Sequence, residues 1–252
     1  MSVKSAKRAL DILDLLAKHT NGLTIKNIGD KLELPQSSTF NLLKTLHNEG
    51  YVRQDGMKLY YLGEKLIPLG TSALESLDIH TVAKPYLTDL MKAVKETVFM
   101  AMLSKDELVY IAKMDADRSI RTTAQPGYKK PIYCTGLGKT FLSFMPEFEK
   151  DNLLDQITLE KITANTITDR SQLENQLQFF QKQGYSIDDE ENEEGLYCLA
   201  APIFDSRRQL LAAISVAGPK ERMIKQKETI ITNLKNTAQL ISNGMGYIKK
   251  GV

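Results

Sequence analysis

Ser37, Asn41, Lys44 and Asn48 recur at a spacing that gathers them on one side of a helix, and no carboxylate intervenes before Glu49. Hydroxyl, amide and ammonium groups of this kind are the inventory needed for phosphate oxygens and for base edges in a major groove. A second candidate is the run Gly136-Leu137-Gly138-Lys139-Thr140. A phosphate-cradling loop would require glycine where Tyr133 stands, and a dinucleotide fingerprint fails at Phe141. What remains is a glycine-containing helix N-terminus, whose free amides and dipole favour a small anion such as a carboxylate; the bland alternative is an ordinary strand-to-helix turn. The acidic run from Asp188 to Glu194 reads as a solvated loop, and metal binding has no fixed spacing to recommend it. Cys198 lies in an apolar stretch that suits an inert core thiol. A catalytic thiol would want a histidine base, and no histidine follows His80.

The elements that must position these groups follow from periodicity. Ala9, Ile12, Leu13 and Leu16 form the stripe of an opening helix, with Lys7 and Arg8 at its start, where Arg8 can touch a DNA backbone or minor groove or simply be solvated. Ile25, Ile28 and Leu32 mark a short helix with Thr24 as N-cap. After "ELP", a second helix runs through Asn48 with Thr39, Leu42, Leu43 and Leu46 on its packing side and Gly50 at its stop. "YVRQ", a tight "DG" turn and "KLYYL" then predict a β-hairpin, so the module is a winged helix-turn-helix.

Residues 64–78 read as a linker helix with a kink at Pro68 and Gly70. A helix from Ile79 to Lys95 follows, and then the period changes from helical to alternating. Val98–Leu103, Leu108–Met114 and Ile120–Ala124 are predicted as successive antiparallel strands, the first pair joined through "SKDE". Helices near Glu147–Gln156 and Asp169–Gln183, strands in "GYSIDD", "LYCLAAPIF" and "QLLAAISVA", and a basic helix from Lys220 to Ile248 complete a mixed α+β domain.

With 42% hydrophobic and 25% charged residues in 252, the chain has the composition of a globular protein with room for two cores. A formal net charge of +2 does not announce a nucleic-acid partner, although residues 1–63 carry nine Lys/Arg against six Asp/Glu. The absence of a secretory h-region and of any stretch near the ~20 apolar residues of a membrane span predicts a cytoplasmic protein. Two cysteines and three scattered histidines predict reduced thiols, no structural metal and no cofactor.

Three longer stretches carry a resemblance. "GLTIKNIGDKLELPQSSTFNLLKTLHNEGYV" with its wing is similar to the DNA-binding half of the IclR family of bacterial transcription regulators. "GYKKPIYCTGLGKTFLS" and "GYSIDDEENEEGLYCLAAPIFDSRRQLLAAISVAGPKER" resemble that family's effector-binding domain. The resemblance implies an α+β two-domain chain: residues 1–63 a winged helix-turn-helix, 64–78 the linker helix, and 79–252 a GAF-like effector-binding domain. It implies a non-enzymatic regulator, such as a repressor, acting on an inverted-repeat operator in double-stranded DNA, as a homodimer or dimer of dimers, under the control of a small carboxylic acid. Carried over, the effector contacts fall on the backbone amides of Gly136 and Leu137 and on Asp188, Cys198 and Ser215. The expected DNA contacts are Arg8, Gln36, Ser37, Ser38, Asn41, Lys44 and Thr45. Family members often have His where Tyr133 stands, and some have Ser where Ala217 stands. The loss of that second hydroxyl favours a hydroxy or keto monoacid over an extended dianion, with Asp188 facing a ligand donor or else protonated. Two other classes stay open: an enzyme using Cys198 or Lys139, and a protein–protein module built on the winged helix.

Overall fold

The computed structural model describes residues 3–75, 78–104, 107–120 and 122–248, with the side chains of 71–75 outside that description. The chain divides into two compact units that part at residues 76–77.

In the first unit, α1 (Lys4–Lys18), α2 (Ile25–Leu32) and α3 (Gln36–Asn48) precede a hairpin of β1 (Val52–Gln54) and β2 (Tyr60–Leu62), and α4 (Leu66–Glu75) follows. Thr24 caps α2 by accepting from the Asn27 amide at 3.2 Å. Ile12 and Leu16 from α1, Ile28 from α2, Leu43 from α3, and Leu23, Val52 and Tyr60 from the hairpin region close a small apolar core. Leu23 widens the hairpin, exchanging backbone hydrogen bonds with Tyr60 at 3.1 and 2.8 Å.

The wing is sewn to the end of α3. The Tyr51 amide donates to Leu46 O at 2.8 Å, and the Gly63 amide donates to Tyr51 O at 2.8 Å. A Cβ on Gly63 would stand 2.2 Å from Gly50 O, so this seam admits only glycine. The hairpin does not turn at a two-residue Asp-Gly. Residues 55–59 form a longer loop in which the Asp55 carboxylate accepts from the Met57 and Leu59 amides, both at 2.9 Å, and the left-handed residue is Lys58 rather than Gly56. Nor does α4 break at Pro68 and Gly70. Pro68 falls in its first turn, where a missing N–H costs no helical bond.

The second unit is a six-stranded antiparallel sheet in the order β5-β4-β3-β8-β7-β6, built from β3 (Thr97–Ser104), β4 (Glu107–Met114), β5 (Lys129–Lys130), β6 (Ser186–Asp189), β7 (Leu196–Phe204) and β8 (Leu210–Pro219). One face is covered by α5 (Ile79–Val94), α9 (Lys220–Lys225) and α10 (Lys227–Gly244), through Leu87, Leu90, Met223, Leu234 and Ile241. The other is covered by α6 (Gly136–Phe144), α7 (Glu147–Gln156) and α8 (Arg170–Gln183), through Leu137, Phe141, Leu154, Leu173 and Leu177. Because both faces are dry, the central strands read as apolar runs rather than alternations.

Several expectations change here. Residues 122–124 are not a strand; Arg121 and the connecting Lys105 and Asp106 lie outside the described residues. The chain runs irregularly to Lys129–Lys130, which pairs with Leu108 and Val109. The single closing helix is two, broken at Gln226. The acidic run is only in part a solvated loop: Asp188 lies buried inside β6 and Glu191 is buried as well, while Asp189, Glu193 and Glu194 are exposed.

Candidate nucleic-acid interface and binding cavity

On α3, Gln36, Ser37, Asn41, Lys44 and Thr45 are exposed while Thr39 and Leu43 are fully buried. The helix therefore presents a polar face with a cation and no carboxylate. Ser38 is half-buried on the flank, and the Thr45 hydroxyl donates to Asn41 O at 3.0 Å, which commits its proton inside the helix. Arg8 is half-buried in the second turn of α1, on a different element. Beside them the wing exposes Arg53, Gln54 and Lys58, with the Arg53 guanidinium stacked 4.3 Å from the Tyr61 ring centroid.

In the second unit, Gly136, Leu137, Asp188, Cys198 and Ser215 line one cavity, with ≈ 540 Å³ of empty space, its open mouth included. Backbone topology brings them together. Asp188 pairs with Cys198 across β6 and β7, and Cys198 pairs with Ala217 across β7 and β8. The N-terminus of α6 descends on this strip, close enough that a Cβ on Gly136 would lie 3.2 Å from the Cys198 Cβ and 3.8 Å from that of Asp188. Gly138 lets the preceding turn fold tightly, since a Cβ there would meet Ile132 O at 2.1 Å. The two glycines that imitate a phosphate loop thus serve close packing. Thr135 caps α6 by accepting from the Gly138 amide at 3.1 Å, and among the described residues no acceptor meets the amides of Gly136 and Leu137.

Asp188 is 1% exposed, and burial pushes its carboxyl up to about 7; the Lys139 charge and the amides of Glu191 and Asn192 pull the other way. Its Oδ1 accepts from the Glu191 amide at 2.8 Å. Burial likewise raises the Cys198 thiol well above its ordinary value, with the Asp188 carboxyl adding to the effect. Lys139 is fully buried behind the cavity, where its Nζ donates to Glu191 Oε1, to Gln176 Oε1 at 2.8 Å and to Ile187 O at 3.2 Å. Neither a raised, buried thiol nor an ammonium enclosed by three acceptors is poised as a nucleophile.

Residues 5–56 match the IclR helix-turn-helix domain, and residues 71–243 match the family described as bacterial transcriptional regulator IclR C-terminal. The chain belongs to the IclR family of transcription regulators. It is 32% identical over 248 residues to the HTH-type transcriptional regulator KdgR of Escherichia coli, covering 98% of this chain and 94% of that one. It is 35% identical over 230 residues to the transcriptional repressor IclR of Escherichia coli, covering 90% and 84%. The crystal structure of Pseudomonas aeruginosa HmgR superimposes with a TM-score of 0.85 at 26% identity, covering 97% of this chain and 99% of that one.

This IclR-family chain builds its cavity partly from residues that carry no local signal. Phe99 and Tyr110 project from β3 and β4, Thr122–Ala124 from the irregular segment, and Lys130 from β5. Lys130 is a cation at the cavity with no ion pair among the described residues, and "GYKKPIY" contained it without distinguishing it from Lys129, which pairs with Glu107 at 2.5 Å. Only the register of β4 with β5 tells the two apart. Among the described residues no helix is long and apolar enough to cross a membrane.

Proposed function

We propose that this regulator grips an inverted-repeat operator as a two-fold homodimer, and that a small carboxylic acid in the cavity of the second unit controls that grip. α3 enters the major groove with Gln36, Ser37, Ser38, Asn41, Lys44 and Thr45, while Arg8 meets the backbone or minor groove. A symmetric protein suits a palindromic site, because one helix covers only a few base pairs. Residues 1–63 form the reading domain, 64–78 the linker and 79–252 the sensing domain.

The observation that carries the ligand reading is the convergence of unpaired helix-terminal amides, a buried hydroxyl and a near-neutral carboxyl on one cavity. The amides of Gly136 and Leu137 and the Ser215 hydroxyl are donors for a carboxylate, with Lys130 as counter-ion. Asp188 faces a ligand hydroxyl or is itself protonated, and Cys198 fills the wall. The ligand is bound, not consumed, since Lys139 and Cys198 are both withdrawn from chemistry.

The test is a melting-temperature screen of the full chain against matched small carboxylic acids with and without a hydroxyl, because a native-state ligand raises stability by mass action. A hydroxy or keto monoacid is expected to raise Tm in the wild type and less in Ser215→Ala, and to change affinity for operator DNA. No shift with any acid would overturn the ligand reading, and recovery of a chemically altered acid would favour an enzyme.

A further inference from the structure

Phe40 is 51% exposed in the middle of α3. Of its neighbours a turn away along the helix, Gln36, Ser37 and Lys44 are exposed and polar, while Leu43 is fully buried and with Thr39 supplies the packing stripe. At helical spacing Phe40 falls on the flank of the polar face, on the side shared with Gln36 and His47, so the ring borders the reading surface and not the core. A single exposed apolar side chain is ordinary on most surfaces. On a helix that lies in a groove it has a restricted set of partners. A phenyl ring can make no hydrogen bond to a base edge, and the major groove offers one apolar feature, the 5-methyl group of thymine.

We propose that Phe40 is a specificity-determining residue that packs its ring against the 5-methyl of one thymine in each half-site. This rests on the reading that α3 enters the major groove. Asn41 and Lys44 would then take hydrogen-bonding edges and phosphates, and Phe40 would reject cytosine at its position, where the methyl is absent. Phe40→Leu keeps an apolar contact and Phe40→Ala withdraws it, while neither touches the buried side of the helix.

The experiment uses the full chain and a duplex selected by it from a random-sequence library. Each thymine is replaced in turn by deoxyuridine, which deletes one methyl and leaves pairing and every hydrogen-bonding group in place. Binding is followed by fluorescence anisotropy at lowered salt, where phosphate contacts keep weakened variants bound. One thymine per half-site should respond, with wild-type affinity falling about fourfold when one half-site is changed and about fifteenfold when both are, as expected for a lost methyl contact. Phe40→Ala should bind the thymine and deoxyuridine duplexes equally, and Phe40→Leu should retain part of the difference. The inference is overturned if no deoxyuridine substitution weakens the wild type, or if Phe40→Ala discriminates as the wild type does. Asn41→Ala separates the two readings: if it weakens the selected duplex while deoxyuridine has no effect, Phe40 fails and the groove-facing helix stands. If Asn41→Ala, Lys44→Ala and deoxyuridine are all without effect, both fail.

Discussion

Burial raises the Asp188 carboxyl to about 7, so this group changes charge near neutrality. Between its unfolded value of 3.8 and that folded value, the native chain binds more protons than the unfolded one, and stability must fall as pH rises through the interval. Asp188→Asn removes the ionisation and keeps an oxygen for the Glu191 amide. The variant should therefore gain more Tm relative to wild type at pH 8 than at pH 5 in paired thermal melts, because only part of the interval has been crossed by pH 5; an equal difference at both would refute the assignment. An anionic ligand should bind the wild type more weakly as pH rises past neutrality, and the Asn variant without that slope. The neighbouring Lys139–Glu191 pair makes a second residue-scale prediction. Lys139→Met leaves Glu191 buried and uncompensated, at a cost of about 3–5 kcal/mol in urea denaturation, whereas Lys139→Met with Glu191→Leu should recover most of it. A double variant no more stable than the single would mean that the pair is not what the charge is needed for. Neither group could be ranked from the sequence. Lys139 sat in what looked like a loop motif and Glu191 in an acidic run, and their burial is set by Gln176 and Ile187, 37 and 48 residues away from Lys139.

On the proposed reading, α3 divides its labour along its exposed face. Asn41 can make a bidentate contact to adenine, which discriminates between bases by ~1–3 kcal/mol, while Lys44 offers a point charge to phosphate. Asn41→Ala should therefore weaken the selected operator far more than random duplex. Lys44→Ala should weaken both alike and lower the slope of log K against log salt by about one. Titrations over a salt series decide it; equal losses and an unchanged slope for both variants would abolish the distinction. The helix itself was legible because its packing stripe, its entry at Pro35 and its exit at Gly50 are all local signals. The segment 120–124 was not. Its β-branched residues suggest a strand, yet the edge of the sheet is closed by Lys129–Lys130, a choice made by pairing with Leu108 and Val109 that no local pattern expresses. The "DG" turn failed for a similar reason, because Asp55 organises a longer loop through its side chain.

For the whole molecule, a two-fold dimer with one reading helix per protomer should protect two half-sites separated by about one helical turn of DNA, or a multiple of it, in inverted orientation. Footprinting that returned a single unpaired half-site would count against the dimer. That a second, sheet-containing unit follows the first was readable from the switch between helical and alternating periods after residue 95, although the switch lies inside that unit, since α5 belongs to it. The cavity was readable only as a resemblance, since its lining is assembled from all six strands of the sheet, β3 to β8, and from α6. The glycine seam at position 63 constrains how such a regulator can diverge. With the wing hydrogen-bonded to the end of α3 and no room for even a methyl group between them, the helix proposed to read DNA and the wing beside it are inherited as a single rigid stylus. A lineage cannot acquire a new operator by re-aiming the wing in small steps, because the first side chain at that joint would wedge it open. On the proposed reading, new target sites arise instead by exchanging the tips of the stylus, the exposed side chains of α3, while the joint to the wing stays fixed.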